Sequence, residues 1–179
     1  MTAPPPVSLA DLTPYTSRDG HTVLAGCYGV SHGTGILGEL IRHATESWAG
    51  HAFLYVGNGR IVEGTAPVAQ LTSADDHPDA VWNIREQLTD QQRLAIVARA
   101  YALIGTPYDY AAYIGFALET LKIRSGKQLD PVFRQDKWRV CSALVADGYS
   151  YGNVIVDSAL HDFNLVSPAD LYNRIPRLP

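Results

Sequence analysis

Cysteine is scarce in this chain, two among 179 residues. Two thiols cannot form a disulfide framework, and Cys27 and Cys141 lie in unlike surroundings, so reduced thiols are expected. An excess of basic charge is also missing. The formal net charge is −4 and the pI about 5.8, which argues against a protein that grips nucleic acid by neutralising phosphates. No apolar run approaches the ~18 residues of a membrane span; the longest runs from Ala111 to Leu118. The opening Met1-Thr2-Ala3-Pro4-Pro5-Pro6 has neither the charged nor the apolar region of a Sec signal peptide. The expectation is synthesis in the cytoplasm, with any export by another route. His-Glu-x-x-His, Cys-x-x-Cys, an EF-hand loop and a Gly-x-Ser-x-Gly elbow are all absent, and Gly33-Thr34-Gly35 is not followed by Gly-Lys-Ser/Thr. No metal ligand set and no cofactor are therefore expected.

What is present is an ordinary globular composition, 46% hydrophobic and 18% charged, long enough for one core and too short for two. Residues 1–20 read as an extended arm, because Pro4, Pro5, Pro6 and Pro14 oppose a helix, and residues 21–179 read as one domain. Thr22 to Val30 is an apolar, β-compatible run. After the Gly-rich Ser31 to Gly35, Ile36, Leu37, Leu40 and Ile41 form a helical stripe. His51 to Val56 and Arg60 to Glu63, joined by Gly57-Asn58-Gly59, predict a hairpin. Residues 64–87 are mixed, with a polar loop from Ser73 to Asp79 and a strand at Ala80 to Ile84. Thr89 and Gln92 have capping-box spacing ahead of Leu94, Val97, Ala98, Tyr101 and Ile104, a helix stopped at Gly105-Thr106-Pro107. A further helix is expected over Tyr110 to Leu121. The basic stretch 122–139 reads as a solvated loop, or as a lid or a patch for anionic polymer. Cys141 to Asp147 predicts a short helix closed by Gly148, and Ser167-Pro168-Ala169-Asp170 starts a last one.

A thiol attacks as its thiolate, which favours a positive local potential and a nearby base. Cys141, at the start of its helix, lies over unpaired N–H groups and the positive end of the dipole. Cys27, inside an apolar strand, reads as core. Among the histidines, His21 and His161 sit in polar flanks and His77 in an Asp-rich loop, so all three read as surface residues. His32 in the Gly-rich turn and His43 near a helix end are weaker candidates for a cleft. His51 opens an otherwise apolar strand, a workable place from which to bring a base to a thiolate. Glu63 is a matter of register. A three-residue loop at Gly57-Asn58-Gly59 puts Val56 opposite Arg60 and Phe53 opposite Glu63, so that His51 and Glu63 share a face with ~7 Å between Cα atoms. A two-residue loop turns Glu63 to the other face, where it is a solvated strand-end acid. Both stay open at this level.

Four segments together resemble a known family. His51 to Glu63, with its Gly57-Asn58-Gly59 turn, looks like the histidine hairpin of the NlpC-like papain-fold cysteine peptidases. Gly105-Thr106-Pro107-Tyr108, Cys141-Ser142-Ala143-Leu144-Val145 and Ser167-Pro168-Ala169-Asp170 look like its other parts. The cysteine follows the histidine, so the resemblance is to the circularly permuted branch, which includes relatives similar to lecithin retinol acyltransferase. The resemblance covers roughly residues 22–175. It implies an α+β, permuted papain-like fold with an antiparallel sheet packed on helices and the catalytic cysteine at a helix N-terminus. It also implies Cys141 as nucleophile, His51 as base and Glu63 as orienting residue, with Tyr108 and Ser142 at the substrate and oxyanion side. The activity it implies is hydrolysis of amide bonds in cell-wall peptides through a thioester; the lack of a signal peptide would suit a phage lysin or tail component or an effector exported by another route. A lipid or thioester acyl hydrolase or acyltransferase, and a catalytically silent structural module, are the alternatives.

Overall fold

The computed structural model describes residues 8, 12–65, 67–107, 141–154 and 166–176. Its centre is the hairpin of β4 (His51–Gly57) and β5 (Arg60–Gly64), whose apolar positions are buried on both faces. β6 (Ala69–Ser73) pairs with β5, β3 (Tyr28–Ser31) with β4, and β7 (Val81–Trp82) with β3, giving an antiparallel five-stranded sheet in the order β6-β5-β4-β3-β7. A separate ribbon joins β1 (Tyr15–Thr16) to β2 (Thr22–Val23). Four α-helices are described: α1 (Gly35–Thr45), α2 (Asp90–Leu103), α3 (Cys141–Tyr151) and α4 (Pro168–Arg174). The class is α+β with an antiparallel sheet and helices, as expected. Among the described residues no helix is long and apolar enough to cross a membrane.

Alternation along β3 and β4 assigns the two faces. Tyr28 and Leu54, which are register partners, face the helices: Tyr28 donates to the Leu171 carbonyl of α4 and meets Tyr149 of α3 edge-on. Phe53 and Tyr55 face the other way and pack against Trp82. The ring of Tyr15, from the stretch read as an arm, covers Tyr55 and Trp82, and Tyr55 Oη donates to the Thr13 carbonyl.

Several local expectations need correction. The run Thr22 to Val30 is two strands, because Gly26, at φ 87°, turns the chain from the ribbon into the sheet. Residues 64–87 contain β6, and the strand expected at Ala80 to Ile84 is reduced to Val81–Trp82. In α1, Ile41 is buried but Ile36 is exposed. In α2 the Thr89–Gln92 capping box is present, yet the buried stripe is Ile96, Val97, Ala100 and Leu103 rather than one through Leu94 and Ala98. The reason lies in α3. A Cβ at Gly148 would stand 2.7 Å from Leu54 Cδ1, and one at Gly152 2.8 Å from Ile96 Cγ1. These glycines let α3 close onto the sheet and onto Ile96, which rotates the buried side of α2. Gly148 is therefore an interior packing position, and α3 runs past it to Tyr151. The helix expected over Tyr110 to Leu121 and the basic stretch 122–139 lie outside the described residues.

Candidate active site

The hairpin turn settles the position of Glu63. Asn58 and Gly59 form a two-residue turn with positive φ at both positions, 54° and 67°, the conformation that matches the twist of paired strands. Taken alone, that turn would send Glu63 to the opposite face. Gly57 pairs with Arg60, however, and a register shift between Tyr55 and Gly57 leaves Val56 unmatched, so that Tyr55 meets Ile61 and Phe53 meets Glu63. The bulge restores the parity that the shorter turn removes. Val56 is thus not opposite Arg60, but His51, Phe53 and Glu63 share a face.

Glu63 is 4% exposed and accepts three hydrogen bonds. Its Oε2 receives His51 Nε2 at 2.6 Å and His77 Nε2 at 3.0 Å, and its Oε1 receives Thr72 Oγ1 at 2.7 Å. Burial alone would raise its carboxyl pKa, but the hydrogen bonds from His51 and His77, the charge of His51 and the Thr72 hydroxyl hold it well below the usual range. The group is a carboxylate, acceptor only, so both Nε2 atoms are donors.

His51 also hydrogen-bonds Cys141. With Nε2 occupied by Glu63, that bond falls to Nδ1. Burial disfavours the imidazolium, yet a Cys141 thiolate, the Cys141 hydrogen bond and Glu63 outweigh it and push the His51 pKa from 6.5 to about 10. Cys141 is the first residue of α3 and is fully buried in this conformation. The backbone around His51 is tightly set, since a Cβ at Gly50 would fall 2.3 Å from the His32 carbonyl oxygen. Arg42 donates to the carbonyls of His32 and Gly33 beside it.

Cys27 is the opposite case. It is 1% exposed, and burial raises its thiol pKa, with the hydrogen bond and charge of Arg93 only partly offsetting this. Neither cysteine is in a disulfide. Ser142 is also buried, and its hydroxyl donates to the Val166 carbonyl at 2.5 Å. Its proton is engaged in holding the segment before α4. Tyr108 and His161 lie outside the described residues. His32 and His43 are exposed.

His77, expected at the surface, lies largely inside. Its side chain is 17% exposed, stacked on Phe53 with ring centroids 4.5 Å apart, and bonded to Glu63. Sequence spacing carried no signal for it beyond its residue type. His51, Glu63 and His77 also bring three donor atoms within 4.8 Å of one another, a set that can hold a divalent transition metal. Missing motifs therefore did not reveal every possible metal site, because these ligands come from three separate segments. As placed, both ring nitrogens aim at one oxygen over hydrogen-bond distances, which is the geometry of a proton network. A cavity of about 160 Å³ lies elsewhere, lined by Ser17, His21, Trp82, Arg85, Tyr172 and Ile175, with none of Cys141, His51 or Glu63 in its wall. No family model and no curated protein matches this chain.

Proposed function

We propose that this chain is a cysteine hydrolase of permuted papain-like fold that cleaves amide bonds by acyl transfer, with cell-wall peptides as the substrate class. The observation that carries the reading is the continuous Cys141–His51–Glu63 chain. It puts a thiol at a helix N-terminus, an imidazole bonded to it, and a buried carboxylate 2.6 Å from the far ring nitrogen. A core packed for stability alone has little reason to bury these three groups together, since each costs free energy to desolvate.

The chemistry follows from the proton positions. His51 Nδ1 accepts the Cys141 proton, giving a thiolate and an imidazolium whose Nε2–H is held by Glu63. The sulfur attacks the carbonyl carbon, and the developing oxyanion is met by main-chain N–H groups at the start of α3, which have no partner within the helix. The C–N bond breaks as His51 gives its proton to the departing amine, leaving a thioester on Cys141. Water, deprotonated by His51, then attacks the thioester, the C–S bond breaks, and the returning proton restores the thiol and releases the acid.

The substrate class rests on the resemblance of the four segments and is tested directly. Purified muropeptides, with phospholipids and acyl thioesters in parallel, are incubated with the protein and the products read by mass spectrometry. New amine and carboxylate ends on the muropeptides, lost in Cys141→Ala, support the proposal. Cleavage of the lipid or thioester alone replaces the substrate class, and cleavage of none by the wild type refutes the hydrolase.

A further inference from the structure

The chain of hydrogen bonds does not end at Glu63. Oε2 is pinned from two sides, by His51 Nε2 at 2.6 Å and by His77 Nε2 at 3.0 Å, and His77 Nδ1 lies 3.3 Å from Ser31 Oγ. Ser31 is the register partner of His51 on β3, so the network leaves β4 at His51, passes through β5 at Glu63, and returns to the neighbour of His51. A glutamate side chain has three rotatable bonds. Thr72 restrains one oxygen, but without a second donor Oε2 keeps the freedom to swing about the last of them.

His77 is itself held. The capped 3₁₀ turn Ala74–Asp76 ends at it, with its N–H donating to the Ala74 carbonyl. Its ring lies flat on Phe53 at an interplanar angle of 28°. Phe53 in turn lies against Gly29, where a Cβ would fall 2.4 Å from the ring. A missing side chain on β3 therefore seats a phenyl ring, which seats an imidazole, which seats the carboxylate. Since Glu63 accepts only, His77 donates through Nε2, and in the neutral ring Nδ1 then accepts from the Ser31 hydroxyl.

We propose that His77 is a positioning residue. By fixing Oε2 of Glu63 it fixes the ring of His51 and keeps His51 Nδ1 aimed at Cys141, so the working unit is Cys141–His51–Glu63–His77. The proposal rests on the hydrolase reading for its kinetic consequence but not for its structural one.

Three variants separate its parts. His77→Phe keeps a ring on Phe53 and removes the donor. His77→Gln removes the ring and keeps an amide N–H at a similar reach. His77→Ala removes both. Turnover of the muropeptide is expected to fall about 10- to 100-fold in His77→Phe and His77→Ala with KM within about twofold, as for a misplaced catalytic group, and to recover most of that loss in His77→Gln. In parallel, the ¹H shift of the His51 Nε2–H, read without substrate, should lie far downfield in the wild type and His77→Gln, as for a proton held by a fixed carboxylate, and move upfield in His77→Phe. Loss of turnover in His77→Gln equal to that in His77→Phe would mean that a donor at this place does not set the ring, and would overturn the proposal. Wild-type turnover and His51 shifts in His77→Phe would overturn it as well. If the wild type turns over no substrate, the hydrolase reading fails, and the His51 shifts alone still decide whether His77 sets the ring. His77→Phe and His77→Gln decide the matter should His77→Ala fail to fold.

Discussion

Replacing Glu63 by glutamine removes one charge and keeps the shape, and the structure allows its effect to be worked through. With the amide oxygen in the place of Oε2, His51 and His77 keep their acceptor, and the amide N–H₂ can donate to the Thr72 hydroxyl in the place of Oε1. Each of the three partners keeps a hydrogen bond to the side chain at position 63, so the fold should survive. What changes is the bond to His51, from one accepted by a carboxylate to one accepted by a neutral amide. Hydrogen bonds to charged groups contribute about 1.5–3 kcal/mol and neutral ones about 0.5–1.5, so the imidazolium loses on the order of 1–1.5 kcal/mol, or about one pH unit. Both side chains are less than one-eighth exposed, so solvent does little to blunt the effect.

The assay is the alkaline limb of turnover, because the departing amine needs the proton of a charged His51. In the wild type that limb reflects a group raised from 6.5 to about 10; in Glu63→Gln it should move down by about one unit. Stability has the same sign. A folded value above the unfolded one stabilises fully below about 6.5, and that contribution is lost as pH rises through about 10. The variant should therefore lose it at lower pH. Glu63, held below its ordinary value, contributes stability above the carboxylate range that is lost on acidification, and glutamine, which does not titrate, removes that acid sensitivity. An alkaline limb unmoved in Glu63→Gln would refute the reasoning, since it would mean that the carboxylate does not stabilise the imidazolium.

Two further outcomes test the packing that supports the site. Gly148→Ala adds a methyl 2.7 Å from Leu54 Cδ1, and overpacking of about 1–3 kcal/mol should exceed the roughly 1 kcal/mol that alanine gains in a helix; urea melts should show net destabilisation, relieved when Leu54→Val is added. Among the described residues the buried Tyr149 Oη has no hydrogen-bond partner, so Tyr149→Phe should leave stability unchanged or raise it by about 1 kcal/mol, and a fall in Tm would show that the hydroxyl has a partner.

Much of the frame was legible because it depends on short-range physics. The Thr89 and Ser167 caps work through neighbours three residues away, and the hairpin is written in a turn where Asn58 and Gly59 accept positive φ. The parity of Glu63 was legible only as an alternative. The turn proved to be the shorter kind, and the bulge at Val56 that cancels its effect is set by pairing along both strands.

By itself, then, the sequence determined which residue types could do thiol chemistry, that Cys27 and Cys141 would sit in different environments, and where the helices and the central hairpin begin. The tertiary structure decided the rest. It placed His77 on Glu63 through a stack of Phe53 on Gly29, turned the buried side of α2 through two glycines of α3, and drew the Ser142 hydroxyl to Val166. Each of these depends on atoms brought together from distant segments, and a hydrogen bond or a ring contact forms through space, where separation along the chain carries no weight.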